Sequence, residues 1–154
     1  ADVPPIMDPL SIDEFEETTR DLDSSLKCLL VEDNIVNQKL GKIILEKQNF
    51  LPVLVTTGEE ALKEIQSGAQ YDFILMDIQM PGMDGVETTQ RIRQWEKEMN
   101  RPKTPIIALT ANAMDSQKHS YLDSGMDGFH SKPIRPELLV QEIRRVLNAH
   151  SNRL

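Results

Sequence analysis

Short apolar runs of strand length take turns with segments whose apolar residues recur at helical spacing, from Leu26 to the end of the chain. The runs are Leu26–Val31 (LKCLLV), Leu51–Val55 (LPVLV), Phe73–Met76 (FILM), Ile106–Leu109 (IIAL) and the weaker Gly128–Ser131 (GFHS). This order predicts an α/β fold built on a parallel sheet with helices on both faces. The first, third and fourth runs lack polar alternation. A strand that is apolar on both sides needs cover on both faces, so these three belong in the middle of the sheet and the other two towards its edges.

The intervening segments read as helices, each with one buried stripe: Val36, Leu40, Ile43 and Ile44; Ala61, Leu62 and Ile65; Val86, Thr89, Ile92 and Trp95; and Leu139, Ile143, Val146 and Leu147. Thr57 and Glu60 have capping-box spacing, with Gly68 as the stop, and Pro136 opens the last helix. A fourth helix, about Ala113 to Ser124, is the least amphipathic. We read residues 26–150 as one domain, 151–154 as a tail and 1–25 as an acidic linker. The linker holds eight acids against Arg20, with Pro4, Pro5 and Pro9 and few large apolar groups, too little burial to offset the entropy of ordering.

Charge excludes one class of partner. The net charge of -8 lies almost wholly in those 25 residues, so the remainder has no basic excess with which to release counterions from nucleic acid. One cysteine rules out a disulfide scaffold, and no apolar run approaches membrane-spanning length. The N-terminus lacks signal-peptide character, which predicts a cytoplasmic protein without direct membrane contact. The start at Ala1 reads as a fragment of something longer.

In an open parallel sheet, ligands sit outside the carboxyl ends of the strands, so the residues just past each strand matter most. The first strand runs into Glu32 and Asp33, the third into Asp77, the fourth into Thr110 and the fifth into Lys132 and Pro133. An Asp after a strand is ordinarily a turn former or helix cap. Three carboxylates gathered at one sheet end are different: at an effective dielectric near 20, each pair about 4 Å apart repels by roughly 4 kcal/mol. A cation is implied. Hard oxygen ligands in this small number suit Mg²⁺ better than a Ca²⁺ cage. With the metal and Lys132 drawing charge from a transferring group, an exposed Asp acts as an oxygen nucleophile on phosphorus. A hydroxyl such as that of Thr110 then turns towards the new oxygens, which gives the site two states.

These residues resemble the receiver domains of two-component response regulators over about Lys27 to Ala149. The resemblance rests on LLVEDN at the first strand end, FILMDIQMPGMDG around Asp77, IIALTA around Thr110 and GFHSKPI around Lys132. It implies a doubly wound, flavodoxin-like sheet of five strands in the order 2-1-3-4-5. It also implies Asp77 as phosphoacceptor, Glu32 and Asp33 as holders of Mg²⁺, and the backbone carbonyl of Gln79 completing the protein's share of the metal shell. Lys132 is implied to bind the phosphoryl group, Thr110 to be the switch hydroxyl, and Phe129 to stand where the family's rotamer-changing aromatic, often Tyr, is found. Lys132–Pro133 corresponds to the family's cis peptide bond. The implied partner is a phosphohistidine-bearing domain, of a histidine kinase or a histidine phosphotransfer protein.

The remaining residues have plainer readings. Asp84 caps the third helix, Gly82 and Gly85 serve the turn, and Cys28 is a small buried hydrophobe. His119, His130 and His150 have no metal spacing, and strand alternation puts His130 opposite Phe129, on a solvated face. Met80, Met83, Met99, Met114 and Met126 fill core gaps and loops. In the family the side chains of Gln79 and Asn112 bear on how fast water attacks the acyl phosphate. The VEDN…NQ opening and GMDGF…SKPI ending look like the C-terminal receiver of a hybrid sensor histidine kinase, tethered to the inner face of the membrane through its parent. No output domain is expected to follow. A free-standing single-domain regulator is the alternative. Aspartyl-phosphate hydrolases of the haloacid dehalogenase type also place an Asp after a strand, but carry a second Asp two residues on, where this chain has Gln79.

Overall fold

The computed structural model of the protein describes residues 25–111 and 115–152. The acidic linker up to Ser24, Asn112 and Met114 lie outside the described residues. The elements in chain order are β1 (Lys27–Val31), α1 (Ile35–Lys47), β2 (Leu51–Val55), α2 (Gly58–Gln66), β3 (Phe73–Asp77), α3 (Gly85–Glu98), β4 (Ile106–Thr110), α4 (Asp115–Asp123), β5 (Gly128–Ser131) and α5 (Pro136–Asn152). All strand pairs are parallel, in the order β2-β1-β3-β4-β5. The three runs without alternation are the inner strands, and β3 and β4 are buried along their whole length. The last helix runs to Asn152, two residues into the stretch read as a tail. Among the described residues, no helix is long and apolar enough to cross a membrane.

Alternation divides the strand side chains between two cores. Leu29, Val31, Ile74, Met76, Ile106 and Ala108 face α2, α3 and α4, where they meet Ala61, Ile65, Ile92 and Tyr121. Cys28, Leu30, Phe73, Leu75, Ile107 and Leu109 face the other helices, where they meet Ile44, Leu45, Leu139, Ile143 and Val146. Burial pushes the Cys28 thiol up to about 12, so it stays a neutral core group.

The caps follow the sequence. Thr57 accepts from the backbone of Glu60 at 3.0 Å, while Glu60 reaches back to the backbone of Thr56, one residue before the cap. Asp84 caps α3 by accepting from Glu87. Gly82 takes a positive φ of 76° in the turn. Gly85 has a different reason to be glycine: a Cβ there would collide with the backbone of Asp77 and Ile78, so the first turn of α3 lies directly against the end of β3.

Two expectations need correction. In α1 the buried residues are Gly41, Ile44 and Leu45, whereas Val36, Leu40 and Ile43 are exposed. The apolar spacing was right for a helix but not for its orientation. Gly41 sets the packed face, because Leu30 occupies the space its Cβ would need, and of the predicted stripe that face takes in Ile44 and leaves Val36, Leu40 and Ile43 outside. His130 is buried rather than solvated. It does lie opposite Phe129, but a doubly covered sheet leaves no solvated face there, and its Nε2 accepts from the backbone of Arg135 at 3.1 Å. Burial holds its pKa below the ordinary value, with Glu142 opposing and Arg135 reinforcing the effect.

Candidate functional site: an acidic cluster at the carboxyl end of the sheet

Parallel register brings the ends of β1, β3 and β4 to one edge. Val31 pairs with Met76 and Asp77 with Leu109, so Glu32, Asp33, Asp77 and Thr110 emerge close together. Carboxylate oxygens of Glu32, Asp33 and Asp77 all lie within 4.8 Å of one another. Glu32 and Asp77 are 0% and 2% exposed, whereas Asp33 faces solvent.

The loops hold these groups in place. Glu32 Oε2 accepts from the backbone of Asn34, and Asn34 in turn caps α1 by accepting from Asn37. Gln38 donates to the backbone carbonyls of Glu32 and Val55, tying the ends of β1 and β2 together. Asp77 Oδ1 accepts from the backbone N–H of Gln79 at 3.2 Å and from Lys132 Nζ at 3.0 Å. Lys132 follows β5, its backbone N–H is bound to the carbonyl of Thr110, and the Lys132–Pro133 peptide is cis.

Among the described residues Glu32 Oε1 is buried without a well-directed hydrogen bond, and Lys132 Nζ lies at ion-pair distance from it, 3.2 Å. One ammonium thus faces two buried carboxylates with a third nearby. Burial first, and Glu32 second, push Asp77 up to about 7, although Lys132 pulls the other way. Burial works against the charge on Lys132, but its bond to Asp77 and the nearness of both carboxylates outweigh it and hold the ammonium above its ordinary range. An orphaned buried carboxylate oxygen and an all-oxygen donor set beside an excess of negative charge fit a small hard cation.

The other expected residues stand around this cluster. Thr110 is buried, with its hydroxyl 2.8 Å from that of Tyr121 on α4. Phe129 is half-buried on the same face, with Lys118 Nζ 5.0 Å from its ring centroid. Sequence reasoning missed Tyr121, Gln38 and Asn34. Asn34 has the residue type and position of an N-cap, a signal that was present; nothing in the pattern of α4 marks Tyr121 as a partner of Thr110.

Residues 28–144 match the family model described as the response regulator receiver domain. The chain is 44% identical over 117 residues to the sensor protein GacS of Pseudomonas syringae pv. syringae, covering 76% of this chain and 13% of that protein. It therefore spans about an eighth of the length of that curated relative. Among solved structures it resembles the receiver domain of the sensor histidine kinase PA1611 from Pseudomonas aeruginosa PAO1, which has a magnesium ion coordinated in its active-site cleft. That match has a TM-score of 0.71 at 35% identity and covers 80% of this chain and 98% of the other. It also resembles a co-crystal of the Saccharomyces cerevisiae histidine phosphotransfer protein Ypd1 with the receiver domain of Ssk1, with a TM-score of 0.71 at 30% identity and coverage of 76% and 85%. With sequence match, strand order and an acidic strand-end cluster in agreement, the chain belongs to the response regulator receiver domain family.

Proposed function

We propose that Asp77 is the phosphoacceptor of this receiver and that Glu32, Asp33, Asp77 and the backbone carbonyl of Gln79 hold Mg²⁺ beside it. The observation that carries the reading is the pair of buried carboxylates facing one lysine, Asp77 at 3.0 Å and Glu32 at 3.2 Å from Lys132 Nζ. When bound, the ion neutralises the carboxylates and the charge on a transferring phosphoryl group. An Asp77 carboxylate oxygen attacks phosphorus, the P–N bond to the donor histidine breaks, and its electron pair returns to the imidazole nitrogen. Lys132 exchanges its bond to Asp77 for one to a phosphoryl oxygen, and Thr110 turns its hydroxyl towards another. Phe129 repacks with that change. The acyl phosphate ends by hydrolysis or by passing to another histidine, so the chain catalyses only its own modification.

The proposed partner is a phosphohistidine-bearing domain, in a histidine kinase or a phosphotransfer protein. Ile35, Val36, Leu40 and Ile43 support this: they are exposed on α1, which begins two residues past Asp33 and so offers an apolar contact face beside the acceptor. We place the chain in a hybrid histidine kinase, on the cytoplasmic side of a membrane-tethered parent, with residues 1–25 as a linker and 26–150 as the receiver.

Intact mass after incubation with a small phosphodonor tests the assignment. A gain of one phosphoryl group that requires Mg²⁺ and disappears in Asp77→Asn is the expected result. No adduct, or one that survives the substitution, rejects it.

A further inference from the structure

Asp77 and Thr110 end neighbouring strands but leave the sheet on opposite faces. Asp77 continues the alternation of Phe73 and Leu75, whose side chains join the core under α1 and α5. Thr110 continues the alternation of Ile106 and Ala108, which join the core under α2, α3 and α4. On that side its hydroxyl meets Tyr121 at 2.8 Å, and the two residues are 2% and 4% exposed. One helical turn earlier, Lys118 reaches over the ring of Phe129, and Phe129 is in register with Ala108 on the same face. The α4 face carrying Lys118 and Tyr121 therefore touches both residues of the expected switch.

We propose that Tyr121 is a positioning residue that holds the Thr110 hydroxyl in its resting orientation, away from the phosphoacceptor. Phe129 has no hydroxyl, and α4 supplies one in its place. To bond a phosphoryl oxygen on Asp77, Thr110 rotates about χ1 into another staggered well and gives up the bond to Tyr121. Modification of Asp77 and release of Tyr121 are then a single equilibrium. A ligand that needs Thr110 at the acceptor works against the Tyr121 bond by that bond's net worth. This inference rests on the reading of Asp77 as acceptor and Thr110 as switch hydroxyl.

The experiment measures beryllofluoride binding in Mg²⁺ by ¹⁹F NMR in the wild type, Tyr121→Phe, Thr110→Ala and the double variant, with Asp77→Asn as the control for site. Phe preserves the buried ring, and urea unfolding checks that the variants stay folded. Tyr121→Phe is expected to bind about five-fold tighter, which is about 1 kcal/mol at 1.4 kcal/mol per decade, the net worth of one hydroxyl–hydroxyl bond. In the Thr110→Ala background the same substitution should change nothing. A merely structural tyrosine would lower the unfolding midpoint and leave binding unaltered, and that result overturns the proposal. So does weaker binding in Tyr121→Phe, which would make Tyr121 a donor that supports Thr110 at the acceptor; in both cases the Asp77 assignment stands. Absence of Asp77-dependent binding in the wild type removes both.

Discussion

Lys132 Nζ donates to Asp77 Oδ1 at 3.0 Å although 55 residues separate them, and the same ammonium lies 3.2 Å from Glu32 Oε1. It is the cation that lets two buried carboxylates coexist. Lys132→Ala leaves Glu32 and Asp77 buried without that charge, a change that costs on the order of 3 kcal/mol. Urea unfolding in EDTA at pH 8 measures it; a loss below about 1 kcal/mol would show that the lysine is dispensable for this pairing.

Asp77→Asn has the opposite effect in metal-free buffer. The folded pKa of Asp77 is pushed up to about 7 from 3.8 by burial first and Glu32 next. A raised folded value means that the carboxyl favours folding at low pH and that this contribution is lost as pH climbs through 7. The neutral amide escapes that loss. The variant should therefore gain stability over the wild type, with a gain about 2 kcal/mol larger at pH 8 than at pH 5. A gain independent of pH contradicts the shift.

Magnesium should stabilise the wild type. Binding to the folded state alone adds about 2.7 kcal/mol at a free concentration a hundred times the dissociation constant. Glu32→Gln and Asp33→Asn should each diminish the increase in unfolding midpoint between EDTA and Mg²⁺. An undiminished increase when both are replaced puts the ion elsewhere.

His130 should titrate below its ordinary 6.5, since burial disfavours the imidazolium and Arg135 adds to this against the pull of Glu142. A depressed folded value means that stability is fully present above about 6.5 and declines as pH falls through the folded value. NMR titration of the imidazole checks the direction. A value above 6.5 would contradict it.

Arg93 ties three elements together at the amino end of β4. It donates to Gly125 O, Thr104 O, Glu96 Oε1 and Asp127 Oδ2, at 2.8 to 2.9 Å. Glu96 also accepts from the backbone of Thr104, and Asp127 from that of Ile106. Arg93→Ala removes the guanidinium from the Glu96 and Asp127 carboxylates and leaves their backbone donors, and we expect a loss of about 3 kcal/mol in urea unfolding. Arg93→Lys should recover less than half, since an ammonium cannot reproduce the guanidinium fork.

The parallel sheet and the identity of its inner strands were legible because β1, β3 and β4 are apolar on both faces, which is a one-dimensional property of the sequence, whereas the strand order was implied only by the family resemblance. Candidate site residues were legible because they cluster at the carboxyl ends of their strands, Asp77 as the last residue of β3 and Lys132 as the first after β5. The orientation of α1 was not, since it depends on Gly41 meeting Leu30, a contact that periodicity does not encode. Arg93 and Tyr121 escaped for a related reason. An arginine or tyrosine in a helix looks like any surface residue until its partners, 32 residues away at Gly125 or 11 away at Thr110, are fixed by the fold. His130 was misread because its burial depends on the helix that covers β5.

The central claim is that one carboxylate, that of Asp77, takes the phosphoryl group. Borohydride reduction after incubation with Mg²⁺ and a small phosphodonor converts an aspartyl phosphate to homoserine, and tandem mass spectrometry locates it. Homoserine at position 77, dependent on Mg²⁺, is the expected result; homoserine at Asp33 or Asp84, or none at all, would contradict the account.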